Sequence, residues 1–365
     1  MMSILKRIRQ SLFYSIAFWS LFLSNGLHAQ GVQRAIVRGH VVDDSTGAPI
    51  PMVNVFVVSS KIGTSTGREG RFELTNVPLG TLEIVASIVG YEPAIRSVRL
   101  ADSTAVQMVF RLKPRAVQMP GMEVVEKDPA EWRRHLQKFS EAFFGSTPNT
   151  SLCRFLNPEV LDFVVDQETD ELRVTAREPL KVENRALGYR FQCVFMYSAV
   201  TSDAFQFTAS VGFEGLKPTD DKEAKAWEDH RRDAYFGSKR HFLQSLIRKQ
   251  SKQEGFIAIL LGTSWRQEAL RRPVGLEVNP DTLVSPSDSP FEKKISFIGY
   301  LQVVYSRGGV RHISLLELQG PTAVIYTNGL NPLGIWTHGF WSLQRAAEML
   351  PIDYELEQAP PPQTW

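Results

Sequence analysis

Histidines with an acidic residue three positions later are the first candidates for catalytic chemistry, because a zinc-dependent hydrolase holds its metal with such a pair and a distant third ligand. The nearest arrangements are His40-x-x-Asp43 and His230-x-x-Asp233, and no His is followed by Glu at this spacing. On a strand, positions three apart face opposite sides, so the first pair cannot share a ligand. On one helix, His230 and His241 would lie about 16 Å apart, too far for a single metal. The sequence therefore predicts no metal site and no cofactor.

Nucleophilic catalysis is not indicated by any local motif. The chain has no Gly-x-Ser-x-Gly elbow, and neither Cys153 nor Cys193 has a sequence neighbour that would lower the pKa of its thiol. The glycine-rich spacings that bind nucleotide phosphates are also absent. No catalytic residue is assigned, although a triad assembled from distant parts of the chain stays open, since its members need not be neighbours in sequence.

The two cysteines, Cys153 and Cys193, have two equally favoured interpretations. In an oxidising compartment they could form a disulfide. Alternatively, they are two buried thiols that behave as small hydrophobic side chains. Spacing along the chain does not decide, because bridging needs Cα atoms within about 7 Å.

An aromatic cluster near the C-terminus is the strongest candidate for ligand binding. It consists of Trp336, His338, Phe340 and Trp341. Such side chains stack on sugars or peptides, but aromatic residues at this density are more often part of a core. Both interpretations are kept, with the core favoured.

A charge-dense segment from Lys222 to Lys249 predicts a second helix, with a break near Gly237. Basic and acidic residues alternate along it, which is typical of a solvated helix face with ion pairs one turn apart. Its aromatic and aliphatic residues supply a buried stripe.

The elements that position these residues begin with short β-branched runs separated by turns, the pattern of a small antiparallel sandwich. The runs are residues 36–42, 53–58, 72–74, 82–88, 94–100 and 105–112. Gly47, Gly70 and Gly80 stand in turns that call for a positive φ. This part of the chain is therefore a scaffold.

A specific motif series runs through these strands. It reads Gly39-x-Val41-x-Asp43, Gly47-x-Pro49, Gly63-Thr64-x-Thr66, Gly70-x-Phe72, Pro78-x-Gly80 and Gly90-Tyr91. The series resembles the carboxypeptidase-regulatory-like domain of Bacteroidetes cell-envelope proteins. The resemblance implies a transthyretin-like, seven-stranded sandwich over residues 30–113, of a kind often placed before TonB-dependent receptors or other surface modules.

After a linker at 114–122, residues 123–355 predict a larger α+β domain of mostly antiparallel strands with two helices, followed by a flexible tail at 356–365. Asp128-Pro129 is a helix start signal, and Trp132, Leu136, Phe139 and Phe143 form one apolar stripe. Residues 279–290 carry three prolines and read as a mobile loop. The chain is predicted to be mainly β.

Several segments of this second part are similar to the uncharacterised region that follows the regulatory-like domain in many Bacteroidetes proteins. They include Cys153-x-x-Leu156-Asn157-Pro158-Glu159, Pro179 to Tyr189, Arg231 to Leu243 and Gly339 to Tyr354. The resemblance implies an envelope protein and adds no chemistry.

Residues 1–29 have the three parts of a secretory signal peptide: a basic start, an apolar core from Leu12 to Leu23, and a small-residue site ending at Ala29. Export to the periplasm or outer membrane is predicted. The apolar core is too short for a membrane span, and no second apolar span follows, so the mature chain is expected to have no transmembrane segment. Removing the three basic residues of the leader takes the net charge from +2 to about −1, which predicts no nucleic-acid partner.

Three functions follow from these observations. The favoured one is a non-enzymatic envelope module that binds or assembles with a surface protein, a carbohydrate or a peptide. The alternatives are a hydrolase acting on envelope glycan or peptide, with its site in the second domain, and an accessory protein to a TonB-dependent outer-membrane receptor. A histidine oriented by a carboxylate in a cleft would favour the enzyme, whereas an exposed apolar patch or sheet edge would favour binding.

Overall fold

The structure is a computed structural model of the 365-residue chain. It describes residues 34–115, 129–201, 204–262, 267–272, 275–307, 309–330 and 334–356. The expected signal peptide, most of the linker, the Asp128 helix cap and residues 357–365 of the tail lie outside the described residues.

Seven strands form the N-terminal sandwich. They are β1 (Arg34–Asp43), β2 (Asn54–Val57), β3 (Gly63–Ser65), β4 (Arg71–Pro78), β5 (Gly80–Ser87), β6 (Ala94–Leu100) and β7 (Val106–Leu112). One sheet has the order β4-β1-β7 and the other β3-β2-β5-β6, with β1 and β7 as the parallel pair. The predicted seven-stranded sandwich is confirmed.

Alternate residues of the sandwich strands point into a core of its own. In β1 the residues Ala35, Val37 and Val41 have no exposed surface, while their neighbours are partly or fully exposed. The predicted positive φ at the turn glycines is confirmed, for example +69° at Gly70. A Cβ there would lie 2.5 Å from the Val41 carbonyl oxygen, so only glycine fits.

The next part packs one helix against a six-stranded sheet. Helix α1 (Pro129–Phe144) precedes β8 (Cys153–Phe155), β9 (Leu161–Val165), β10 (Leu172–Ala176), β11 (Leu180–Asn184), β12 (Tyr189–Val200) and β13 (Phe205–Gly215). The order is β8-β11-β12-β10-β9, with β13 on the free edge of β12. The predicted stripe of α1 is observed: Phe139 and Phe143 are buried in the core of this sheet.

The charged segment forms two helices, where the sequence predicts one with a break. Helix α2 (Asp221–Tyr235) and helix α3 (Lys239–Arg248) are separated at Gly237, whose φ is +75°. Each helix has its own N-cap, because the Asp220 and Ser238 side chains accept hydrogen bonds from backbone amides three residues later. Consequently, His230 and His241 do not share a helix face.

Two further sheets complete the fold. They contain β14 (Phe256–Leu261), β15 (Leu276–Val278), β16 (Val284–Pro286), β17 (Glu292–Ile295), β18 (Tyr300–Arg307), β19 (Val310–Leu318), β20 (Ala323–Tyr326) and β21 (Ile335–Gly339), followed by the short helix α4 (Phe340–Leu343). The five-stranded sheet has the order β15-β14-β18-β19-β21, and the three-stranded one β16-β17-β20.

The predicted loop at 279–290 is partly built into regular structure. It contains a 3-10 turn (Pro280–Leu283) and strand β16. The Asn279 side chain caps the turn, and the Ser251 hydroxyl donates a hydrogen bond of 2.5 Å to Asp281. Asparagine and proline, read as loop residues in the sequence, here serve as the cap and the first residue of the turn.

Backbone hydrogen bonds connect the sandwich to the rest of the molecule. The amide of Ser59 donates to Val211, and the amide of Phe213 donates to Ser60, so the turn after β2 covers the free edge of β13. The amide of Ile352 donates to Ser59, and its side chain lies in the sandwich core. The structure places the described residues on both sides of the linker in one compact unit. Within them, no helix has both the length and the apolar character to span a membrane.

Candidate functional site

The predicted aromatic cluster divides between core and surface. Trp341 is 5% exposed and packs against Phe242, with ring centroids 5.6 Å apart. Its indole nitrogen donates a 2.6 Å hydrogen bond to the Gly237 carbonyl, so the one polar atom of the side chain is satisfied. Phe340 is half-buried and stacks on His312 at 3.7 Å. These two residues of the cluster are packing residues.

Trp336 and His338 lie on the other face of the same sheet and reach solvent. They are two residues apart on β21, so both side chains point to one side. Trp336 is 53% exposed. In the register of the sheet, Trp336 is opposite Glu317 on β19, which in turn is opposite Tyr300 on β18. We call the surface formed by Tyr300, Glu317, Trp336 and His338 the Trp336 face.

The polar groups of the Trp336 face are close to one another. The His338 Nε2 and Glu317 Oε2 atoms are 3.7 Å apart, an ion-pair distance when the imidazole is protonated. The His338 and Tyr300 rings are 6.5 Å apart. Burial, followed by the negative charge of Glu317, raises the pKa of the Tyr300 hydroxyl, which therefore keeps its proton at neutral pH. The surface offers an apolar indole and a carboxylate acceptor, and the Tyr300 hydroxyl donates a hydrogen bond to that carboxylate.

A short 3-10 turn (Gln267–Leu270) covers the centre of this sheet face and borders the Trp336 face. Ala269 and Leu270 pack there against Ile259 and Leu315. The Gln302 amide, fully buried, donates hydrogen bonds to the carbonyls of Ala269 and, at 2.9 Å, of Arg272. The turn covers only the centre of the sheet face, so Trp336 on the edge strand β21 stays exposed.

Tyr300 and Glu317 were not identifiable as site residues from the sequence. They lie 36 and 19 positions before Trp336, and only the strand register aligns the three. The alternation of buried and exposed residues in β18 and β19 predicts the sheet face that Tyr300 and Glu317 occupy. It does not predict which strand pairs with which.

The cysteines are both free. Cys153 pairs with Asn184 and Cys193 with Leu180 on the intervening strand β11, which separates their Cα atoms by about 16 Å, well beyond disulfide reach. Burial, with a smaller effect of the Glu348 charge, raises the pKa of the Cys153 thiol to about 12, and burial raises the pKa of Cys193 as well. Neither sulfur is a thiolate nucleophile at neutral pH.

His241 is the one predicted metal candidate that has a carboxylate partner at hydrogen-bond distance. Its Nε2 atom is 2.8 Å from Glu254 Oε2, and its Nδ1 atom accepts a 3.0 Å hydrogen bond from the Gly237 amide. Because Nδ1 accepts, the proton is on Nε2, and both ring nitrogens are occupied. The side chain is 3% exposed, and burial lowers the pKa of His241 despite the carboxylate. A general base needs a free nitrogen, so this pair is structural.

The described part of the chain holds no group of three or more His, Cys, Asp and Glu side chains with metal-binding geometry. His230 instead lies 3.0 Å from the Ala186 carbonyl through Nδ1.

Comparison with known proteins identifies the N-terminal sandwich. A family model for the CarboxypepD_reg-like domain matches residues 37–125, which contain nearly all of the sandwich strands. Residues 37–125 are a CarboxypepD_reg-like domain. The resemblance predicted from the glycine and proline motifs is confirmed.

The chain also has a curated relative. Over 95 residues the chain is 37% identical to TonB-dependent receptor P39 of Formosa agariphila, which covers 25% of this chain and 9% of the receptor. The chain thus spans about a tenth of the length of this relative. The domain is compatible with a non-enzymatic binding or assembly module.

Among solved structures the similarities are remote. A 3-chlorocatechol 1,2-dioxygenase of Rhodococcus opacus 1CP is 15% identical, with a TM-score of 0.21 over 24% of this chain and 62% of that one. A putative carbohydrate binding protein of Bacteroides uniformis is 8% identical, with a TM-score of 0.19 over 80% and 99% of the two chains. Nothing about function is transferred from similarities this low.

Proposed function

We propose that the protein is a non-enzymatic, exported cell-envelope protein that binds a glycan or peptide through the Trp336 face. The observation that carries the proposal is the exposed indole of Trp336, aligned with Glu317 and Tyr300 across three adjacent strands. An exposed tryptophan bordered by polar side chains marks an interaction surface more specifically than a scattered apolar residue does.

The chemistry of the surface fits a ligand that has both an apolar face and hydroxyl or amide groups. The indole of Trp336 can cover a sugar ring or a peptide side chain. The Glu317 carboxylate accepts a hydrogen bond from the Tyr300 hydroxyl, and its remaining lone pairs can accept hydrogen bonds from hydroxyl or amide donors of a ligand. Because these groups are on three hydrogen-bonded strands of one sheet, their backbone positions are fixed, which limits the entropy lost on binding.

Binding is favoured over hydrolysis by the state of the reactive groups. The oriented histidine, His241, has both nitrogens engaged and is buried, and the two thiols keep their protons. The Glu317 and His338 pair is a further acid–base pair near a surface, so turnover is measured together with binding in the test below.

An accessory role beside a TonB-dependent receptor is the second candidate function, and the 37% identity to a receptor of that class favours it. In this role the CarboxypepD_reg-like domain would contact the receptor while the Trp336 face holds the ligand. Co-purification of a receptor with the tagged protein from the native envelope tests this candidate.

The test of the proposed function is calorimetric titration with soluble peptidoglycan fragments, neutral oligosaccharides and unstructured peptides as probes. Trp336→Ala should weaken binding of the active probe at least about tenfold, because truncation of a central interface tryptophan commonly costs more than about 2 kcal/mol. Leu276→Ala is the matched control, since Leu276 is also exposed, at 69%, but lies on the opposite edge strand of the same sheet.

Equal affinities of the wild type and Trp336→Ala would refute the assignment of the surface. If the wild type released a product from a probe and Glu317→Gln did not, the function of this surface would be hydrolysis and not binding alone. N-terminal mass analysis of the exported protein tests the expected cleavage after Ala29.

A further inference from the structure

A second concave site lies between the sandwich and the rest of the molecule. It is a cleft of about 810 Å³, within the size range of small-molecule pockets, and such pockets occur preferentially where two structural units meet. Arg34 and Lys61 line it from the sandwich side, and Tyr189, Arg231 and Tyr354 from the other side. We call it the Arg231 cleft.

Most charges of the Arg231 cleft neutralise one another. Arg34 is 2.6 Å from Glu355, and Lys61 is 3.7 Å from Asp353. Arg232, which also lines the cleft, is 3.8 Å from the lining residue Glu228 and 2.5 Å from Asp229. The carboxylates are therefore engaged by the lysine and by two of the arginines.

Arg231 is different, because its hydrogen-bond acceptors are neutral. Its Nε atom donates a 2.6 Å hydrogen bond to the Leu187 carbonyl, and its Nη2 atom is 3.4 Å from the Gly188 carbonyl. Its guanidinium carbon lies 4.3 Å above the centre of the Tyr189 ring. No carboxylate of the described residues is within 4 Å of it, so its positive charge is not compensated by an ion pair.

The guanidinium of Arg231 is held in place before any ligand arrives. Gly188 has a φ of +68°, and a Cβ at this position would lie 2.3 Å from the Trp227 ring and 2.9 Å from Arg231 Nη2. Glycine thus permits the close approach that fixes Arg231 against the backbone. A pre-organised guanidinium loses less entropy when it forms a bidentate contact.

A second guanidinium adds positive charge behind the wall of the cleft. Arg240 donates 2.7 Å hydrogen bonds to the carbonyls of Pro351 and Ile352, and a 3.2 Å bond to Tyr354. These acceptors are also neutral; burial lowers the pKa of the Arg240 guanidinium, but an arginine side chain in a protein is effectively always protonated. The segment it holds carries Tyr354, whose hydroxyl keeps its proton because burial raises its pKa.

We propose that the Arg231 cleft binds a small organic anion through its carboxylate or phosphate group, with Arg231 as the charged contact and Tyr354 as a hydroxyl donor. The oxyanion is the shared chemistry, since a planar guanidinium fork matches both groups. The site is separate from the Trp336 face and does not depend on the function proposed for it.

The test is calorimetric titration of the full-length exported protein with three probes at low ionic strength: inorganic phosphate, glucuronate and glucose. Either of the first two should bind, and the neutral sugar should not; preference for glucuronate would assign a carboxylate ligand and preference for phosphate a phosphorylated one. Arg231→Gln should lower the affinity at least about tenfold, because it removes a charge-assisted hydrogen bond.

Arg185→Gln is the matched control, since Arg185 is paired with Glu223 of the same helix α2 outside the cleft, and it should change the affinity less than about threefold. If Arg231→Gln fails to fold, Tyr354→Phe decides, because it removes a single hydroxyl and should weaken binding several-fold. Absence of binding by both anions, or unchanged affinity in the folded variants, would overturn the proposal. If Trp336→Ala also lost binding of the anion probes, the Arg231 cleft and the Trp336 face would not be independent sites.

Discussion

Trp336 and Trp341 are five positions apart, yet one is exposed and the other belongs to the core. The backbone between them changes from strand β21 to helix α4 at Gly339, whose φ is +76°. A Cβ at Gly339 would lie 2.6 Å from the Ile313 carbonyl, so this turn against β19 requires glycine. The turn redirects the chain, and Trp341 enters the core while Trp336 stays on the outer face.

The first prediction concerns Trp341. Trp341→Ala should lower the free energy of unfolding by about 3–5 kcal/mol, because it empties a buried site and leaves the Gly237 carbonyl without its indole donor. A thermal melt of the variant beside Trp336→Ala separates the roles, since the latter should change stability by about 1 kcal/mol or less. An unchanged melting temperature for Trp341→Ala would contradict its assignment to the core.

The second prediction concerns Glu348, whose carboxylate oxygens accept hydrogen bonds of 2.9 and 3.0 Å from Asn149. Burial raises the pKa of Glu348 above its ordinary value of 4.5. The unfolded chain therefore releases this proton at a lower pH than the folded chain. The protonated Glu348 carboxyl therefore contributes fully to stability below pH 4.5, and this contribution is lost as the pH rises through the pKa that Glu348 has in the folded protein.

Glu348→Gln keeps the shape of the side chain and removes the charge. It should raise the melting temperature by about 1–4 °C at pH 7.5, and the difference should close at pH 4. Melting curves of both proteins across this range provide the measurement. A variant that is less stable at pH 7.5 and equal at pH 4 would have the wrong sign and would show that the charged carboxylate stabilises the fold.

At the scale of elements, the break between α2 and α3 depends on Gly237. Its positive φ ends the first helix, and its amide and carbonyl hold the side chains of His241 and Trp341. A Cβ there would also lie 2.5 Å from the Tyr305 ring. One glycine thus connects the helix pair to the five-stranded sheet.

The third prediction compares two glycines with similar φ. Gly47→Ala, where φ is +72° and no atom lies within 4 Å of the added Cβ, should cost about 1–2 kcal/mol from the left-handed conformation alone. Gly237→Ala should cost about 1–3 kcal/mol more, because the methyl group also overlaps Tyr305. Chemical denaturation of both variants measures the difference. Equal losses would show that the ring moves aside without cost.

At the scale of the whole molecule, the contacts around Ser59 and Ile352 decide how independent the sandwich is. The CarboxypepD_reg-like domain has its own buried core, but Ile352 from the C-terminal segment is part of it, and the turn after β2 covers the edge of β13. The domain boundaries at 30–113 and 123–355 therefore remain a proposal about folding units.

The fourth prediction is that an isolated 30–115 fragment melts cooperatively, since the seven strands bury a continuous core. It should melt at a lower temperature than the intact protein, because the fragment lacks Ile352. In the intact protein Ile352→Ala should cost about 2–5 kcal/mol, whereas Ile257→Ala, at an exposed position, should cost about 0.5 kcal/mol. If the fragment showed no cooperative transition, the sandwich would need residues beyond the linker in order to fold.

The sequence by itself determined what depends on neighbours along the chain. Alternation in β1 identified the strand and its buried face, the glycine at 70 identified a turn with positive φ, and the stripe through Phe139 and Phe143 identified helix α1. These features are local, because hydrophobic period and backbone sterics act over a few residues. The mainly β architecture followed from them, whereas the CarboxypepD_reg-like domain was indicated by the resemblance of the motif series from Gly39 to Tyr91.

Only the tertiary structure decided which residues meet. Strand register brought Tyr300 and Glu317 to Trp336, the separation across β11 kept Cys153 and Cys193 apart, and the fold placed Arg231 in a cleft without a carboxylate partner. A strand pattern states which face a side chain occupies but not the strand that pairs with it, so contacts between residues distant in sequence are not encoded in any local period.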